Sequence, residues 1–172
     1  MNETGKQNST FKILSIDGGG IRGIYSANVL AQFEKTFDCK LVDYFDLICG
    51  TSTGGLIALA LSLGIPASDI ADFYRKKGAL IFPKLGLIKG LYRQVVRGGK
   101  FDNSELKKAL SEIYEDKIIA DSKCLLCIPS FSLTDAKPWI FRYDHSDGDL
   151  SRDNQTSYVD VALATSAART RD

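Results

Sequence analysis

Residues 45–64 read FDLICGTSTGGLIALALSLG: a short apolar run stops at a serine set among glycines, and a longer apolar run follows. The spacing predicts a strand over 44–49 and a helix over 52–63 that is apolar nearly all round, and therefore central and covered. Between them, Gly50-Thr51-Ser52-Thr53-Gly54 is a G-x-S-x-G pattern in the strand-to-helix setting where that pattern carries chemistry. A sharp turn there strains the backbone of the serine and lifts its hydroxyl out at the carboxyl edge of the sheet. The flanking glycines remove side chains that would strike neighbouring strands. A helix starting at this point aims free N–H groups and the positive end of its dipole at an oxyanion formed on an attacked carbonyl. A serine that merely caps a helix does not require glycine on both sides, so the pattern favours Ser52 as a nucleophile.

Upstream, ILSIDGGGIRG at 13–23 has the same layout, with a strand expected over 11–16 and a helix over 24–37 carrying Val29, Leu30, Phe33 and Phe37 at helical spacing. Gly18, Gly20 and Gly23 fit the G-x-G-x-x-G dinucleotide fingerprint. That fingerprint needs an acidic residue at the end of the second strand, which here ends Ile48-Cys49-Gly50, without one. What remains is a nest of bare N–H groups on Gly18, Gly19 and Gly20, open to an anion, with Arg22 nearby as a fixed positive charge. Adjacent parallel strands end side by side, so this nest is expected within roughly ten ångströms of Ser52, as its oxyanion hole.

The remaining segments continue the alternation. Helices are predicted over 68–78, stopped by Gly78, over 102–116, begun by Asn103 or Ser104, and over 157–168; strands are predicted over 123–133 and 138–144. The expected architecture is α/β, a doubly wound, mostly parallel sheet with helices on both faces, occupying residues 11–172 behind a polar tail at 1–10. A net charge of +1 gives nucleic-acid binding no support. The polar start lacks a signal-peptide pattern and no apolar run reaches membrane-spanning length. Cys39, Cys49, Cys124 and Cys127 fit reduced thiols, so a cytoplasmic location is expected. Cys124 and Cys127 sit in a strand pattern with no second pair to complete a metal site.

DGGGIRG followed by GTSTGG resembles the patatin-like phospholipases, and KPWIFRYD and VDVALATSAA resemble later segments of that family. The resemblance implies lipid acyl hydrolysis by a Ser-Asp dyad without histidine and without a metal or organic cofactor. It makes Ser52 the nucleophile in an elbow of Gly50, Thr51, Thr53 and Gly54, and places Gly18, Gly19, Gly20 and Arg22 in the oxyanion loop. Its implied substrate is a phospholipid or another glycerolipid ester. The family draws its base from a D-G-G or D-G-A segment beyond the ATSAA helix. Here Arg169-Thr170-Arg171-Asp172 stands in its place, so the chain is expected to be truncated before the base and weakened in catalysis. Some bacterial proteins of this type act in cyclic-nucleotide-activated antiphage defence, a role for which the residues themselves carry no sign.

Three other readings stay open: a catalytically impaired lipid-binding or regulatory remnant, a nucleotide-binding module, and an α/β-hydrolase triad. The triad would pair Ser52 with an acid such as Asp135 or Asp144 and with His145, the one histidine in the chain. Between Arg75 and Lys100 lie eight Lys or Arg residues and no Asp or Glu, interleaved with Leu85, Leu87, Ile88, Leu91, Tyr92 and Val95. Such a stretch suits either a solvated surface or peripheral contact with an anionic bilayer at the inner membrane face, through Lys89, Arg93 and Arg97.

Overall fold

In the computed structural model, which describes residues 10–81, 104–144 and 151–167, β1 (Ile13–Ile16) and β2 (Leu47–Gly50) run parallel as neighbours. Their register pairs Ile13 with Leu47 and Ile16 with Gly50, so the two strands finish level. β3 (Leu125–Ser132) lies parallel on the far side of β2, and β4 (Lys137–Tyr143) returns antiparallel to β3. The result is an open, mixed sheet ordered β1-β2-β3-β4. Helices fill the connections: α1 (Gly23–Phe37) and α2 (Leu41–Tyr44) before β2, then α3 (Thr53–Ser62), α4 (Ala67–Ile81) and α5 (Ser104–Tyr114) before β3, and α6 (Tyr158–Ser166) after β4.

The pleat sorts side chains to opposite faces. Ile16, Ile48, Leu126 and Ile128 are buried, whereas their alternates Leu47, Cys49, Leu125 and Cys127 are only half-buried and Ile13 is exposed. The buried face meets α3, every residue of which is buried, as its all-round apolar sequence requires. α6 packs beside α3 and also against β3. Buried polar groups on these helices find partners: Ser62 Oγ and Tyr158 Oη lie 2.9 Å apart, and Tyr114 Oη donates to the Leu56 carbonyl at 2.7 Å. Burial raises the Tyr158 phenol to about 12 and the Tyr114 phenol well above its ordinary value.

Three local expectations are corrected. Tyr44 does not begin β2; it closes the single turn of α2, whose Leu41 N–H donates to the Glu34 carboxylate at 3.2 Å. The same carboxylate accepts from Ala67 N–H at 2.8 Å and so holds the starts of two helices, a favourable place for negative charge. Gly78 does not stop α4, which runs on to Ile81. That glycine instead leaves room for Ile21, whose Cδ1 would lie 2.7 Å from a methyl at 78. The expected apolar stripe of α1 holds in part: Leu30 and Phe33 are half-buried against the core, whereas Val29 and Phe37 are exposed, and the fully buried positions are Gly23 and Ala27. Small residues let α1 approach α4, and Phe33 and Phe37 stack on each other at 4.6 Å between ring centres.

Candidate active site

Because β1 and β2 end level, the chain leaves both strands at the same edge of the sheet and turns twice in close proximity. After Gly50 it passes Thr51 and reaches Ser52, which has φ 53° and ψ −124°. A left-handed backbone at a non-glycine residue costs on the order of 1–3 kcal/mol and persists where surrounding structure enforces it. Ser52 occupies the N-cap position of α3, yet its side chain makes no capping hydrogen bond; the capping role is therefore not what its hydroxyl does. The first turn is closed by main-chain bonds, Gly54 N–H to the Thr51 carbonyl at 2.9 Å and Leu56 N–H to the Ser52 carbonyl at 3.0 Å.

The glycine loop adjoins this turn. A methyl at Gly18 would lie 2.8 Å from the Thr51 carbonyl oxygen and 3.1 Å from Ser52 Cβ, so only glycine lets the two loops approach this closely. Gly54 is tied to the other end of the same contact, because a methyl there would strike the carbonyl oxygen of Ile16, at the end of β1. Gly20 has φ 57°, a conformation that glycine adopts without strain. Its carbonyl accepts from Thr53 Oγ1 at 2.9 Å, and Thr53 is fully buried. Arg22 is exposed on the short 3₁₀ turn Gly20–Arg22, with Nε 3.8 Å from the position a methyl at Gly19 would take, so its guanidinium lies over the glycine loop. Among the described residues, none accepts a hydrogen bond from the N–H of Gly18 or Gly19.

The structure thus brings Gly18, Gly19, Gly20 and Arg22 together with Gly50, Thr51, Ser52, Thr53 and Gly54. Asp135 is placed elsewhere, in the β3–β4 turn, where its carboxylate accepts from Ser132 Oγ at 3.1 Å. Asp144 follows β4, and His145, Lys89, Arg93, Arg97 and Asp172 fall outside the described residues. Two of the thiols, Cys124 and Cys127, are poor rivals to the serine. Burial pushes Cys124 up to about 11, and burial with neighbouring Cys49 raises Cys127 despite Arg142. Sequence reasoning missed Thr165, near the end of α6: its Oγ1 accepts from Ser52 N–H at 3.0 Å and donates to the Pro129 carbonyl at 2.7 Å. No local pattern announces a contact spanning 113 positions.

A sequence profile described as "Patatin-like phospholipase" matches residues 14–168, which include both loops and α6. The chain belongs to the patatin-like phospholipase family. Among its patatin-like relatives is the "cGAMP-activated phospholipase" of Vibrio cholerae, 37% identical over 173 residues, an alignment covering 92% of this chain and 48% of that protein. A protein of the same name from Pseudomonas aeruginosa is 35% identical, with 92% and 47% covered. "Patatin-like protein 2" of Oryza sativa is 34% identical, with 92% and 42% covered. This patatin-like chain therefore spans about half the length of these curated relatives or somewhat less. Among solved structures, ExoU of the heterodimeric ExoU-SpcU complex from the Pseudomonas aeruginosa type III secretion system aligns at a TM-score of 0.52 and 14% identity. That alignment covers 91% of this chain and 36% of the other, a likeness of fold alone. Among the described residues, no helix of this family member is long and apolar enough to cross a membrane.

Proposed function

We propose that the chain carries the nucleophile and oxyanion half of a lipid acyl hydrolase acting on phospholipid or related glycerolipid esters. The observation that carries the reading is Ser52 itself, held in a left-handed backbone against Gly18 with its hydroxyl not spent on capping α3. In the proposed reaction Ser52 Oγ bonds to the ester carbonyl carbon, its proton passes to a carboxylate, and the carbonyl electrons move onto oxygen. The N–H groups of the glycine loop and the start of α3 receive that oxyanion. Its collapse restores the carbonyl, breaks the ester C–O bond and releases the alcohol, which takes up the proton. Water then repeats the sequence on the acyl-enzyme, freeing the fatty acid and the serine.

The carboxylate is the Asp that the family carries in a D-G-G or D-G-A segment; among the described residues no carboxylate hydrogen-bonds Ser52. The names of the bacterial relatives support a phospholipid substrate and extend the proposal to activation by cGAMP. Peripheral contact with an anionic bilayer through Lys89, Arg93 and Arg97 belongs to the same proposal.

A fluorophosphonate probe followed by peptide mass spectrometry tests the nucleophile. The expected result is one adduct, on Ser52, that is lost in Ser52→Ala. A wild-type chain inert to the probe would overturn the assignment.

A further inference from the structure

Two threonine hydroxyls bracket Ser52, and the acyl-transfer chemistry above uses neither. Thr165 Oγ1 sits between Ser52 N–H, 3.0 Å away, and the Pro129 carbonyl, 2.7 Å away. A carbonyl can only accept, so the threonine proton is committed to Pro129 and a lone pair is left for the serine amide. Thr165 Cγ2 meanwhile presses on α3, where a methyl at Gly55 would lie 2.8 Å from it. On the other side, Thr53 Oγ1 donates to the Gly20 carbonyl at 2.9 Å from a fully buried position. Because the peptide unit is planar and trans, pinning that carbonyl toward α3 turns the following N–H, that of Ile21, the opposite way.

We propose that Thr53 and Thr165 are positioning residues, Thr165 fixing the nucleophile turn to β3 and Thr53 fixing the glycine loop to the same turn. Three segments distant in sequence are thereby locked around one serine. The Ser52 amide is occupied by Thr165, so it is not an oxyanion donor. That role falls to the glycine loop, whose orientation Thr53 sets, and to residues after Ser52. Removing the Thr165 hydroxyl takes the partner from two part-buried main-chain groups, removing the Thr53 hydroxyl takes it from one, and either frees the turn to relax from its left-handed conformation.

The catalytic consequence rests on Ser52 being the nucleophile; the positioning itself does not. The test uses the 172-residue chain and its Thr165→Val, Thr165→Ser, Thr53→Val and Thr53→Ser variants. Amide-resolved hydrogen exchange is expected to speed at Ser52 about tenfold or more in Thr165→Val, with Leu56 to Leu61 unchanged, and to recover in Thr165→Ser. Unchanged exchange at Ser52 would overturn the proposal. So would faster exchange throughout α3, which would make Thr165 a packing residue only. In the second arm the rate of fluorophosphonate labelling falls about tenfold to a hundredfold in both valine variants and returns in both serine variants. Labelling at the wild-type rate in the valine variants also refutes it. A wild-type chain that does not label defeats the nucleophile reading, while the exchange arm still decides the positioning.

Discussion

Gly54→Ala tests whether the meeting of the two loops is a packing constraint. The added methyl points into β1, onto the carbonyl oxygen of Ile16, with the carbonyl carbon of Ile16 2.7 Å away and the Asp17 oxygen 2.9 Å away. None of these atoms is the end of a flexible side chain, so relief requires α3 or β1 to move as a body. α3 is buried along its whole length and β1 is hydrogen-bonded to β2, which leaves neither free to shift cheaply. Overpacking of this kind costs about 1–3 kcal/mol, sometimes more. In a chain of this size each kcal/mol lowers the thermal midpoint by about 2–4 °C, so a drop of about 2–12 °C is expected. Thermal unfolding followed by circular dichroism, with urea titration at 25 °C as the second measure, reads it directly. A variant as stable as the wild type would show that the approach of α3 to β1 is looser than described, and the close contact between the loops would lose its support.

The same substitution at Gly78 should act in the opposite direction. Among the described residues the methyl there meets only Ile21 Cδ1, on a 43%-exposed side chain able to turn aside, and Ala replaces Gly inside a helix, so the midpoint is expected to hold or to rise by up to about 1 kcal/mol equivalent; a clear fall contradicts it. Asp153 is 4% exposed and accepts from Arg142 N–H at 3.0 Å and from Arg152 at 2.8 Å. Burial alone would raise its carboxyl, but the Arg152 hydrogen bonds, the Arg142 N–H and both guanidinium charges outweigh it and hold the group below the usual carboxylate range. Its stabilisation is therefore present above the unfolded value near 4 and fades as pH falls through the lower folded value. Asp153→Asn should cost about 1.5–3 kcal/mol at pH 7 by urea unfolding, and the gap to wild type should narrow toward pH 3; a gap independent of pH would refute the linkage.

How much of this was legible in residue order depended on the range of the interaction. The strand-turn-helix around Ser52 and its glycine partner could be read because apolar runs, glycines and parallel pairing are local signals that agree with one another. The juxtaposition of Gly18 with Ser52 followed from two adjacent parallel strands and nothing more. What escaped was set by partners far along the chain. Glu34 anchors the helical turn Leu41–Tyr44, so Tyr44 falls in that turn and not in the strand expected to begin there. Ile21 gives Gly78 a spatial reason in place of a terminating one. Thr165 reaches Ser52 from α6, and periodicity within α6 says nothing about where its hydroxyl lands. In α1 the periodicity finds Leu30 and Phe33 on the core but not the fully buried Gly23 and Ala27, because helical spacing of bulky residues carries no sign of where only a small one fits.

The level ending of β1 and β2 bears on which length changes this chain can absorb. Each residue of β1 faces the one 34 positions later, an offset that also carries Gly18 onto Ser52. Extra residues in the surface connection between Phe37 and Leu41 would loop out and leave that correspondence between neighbours untouched. One residue inserted inside β1 would invert every side chain after it and slide the glycines a full step past the serine. Indels should therefore be common in the connectors and nearly forbidden within two four-residue windows.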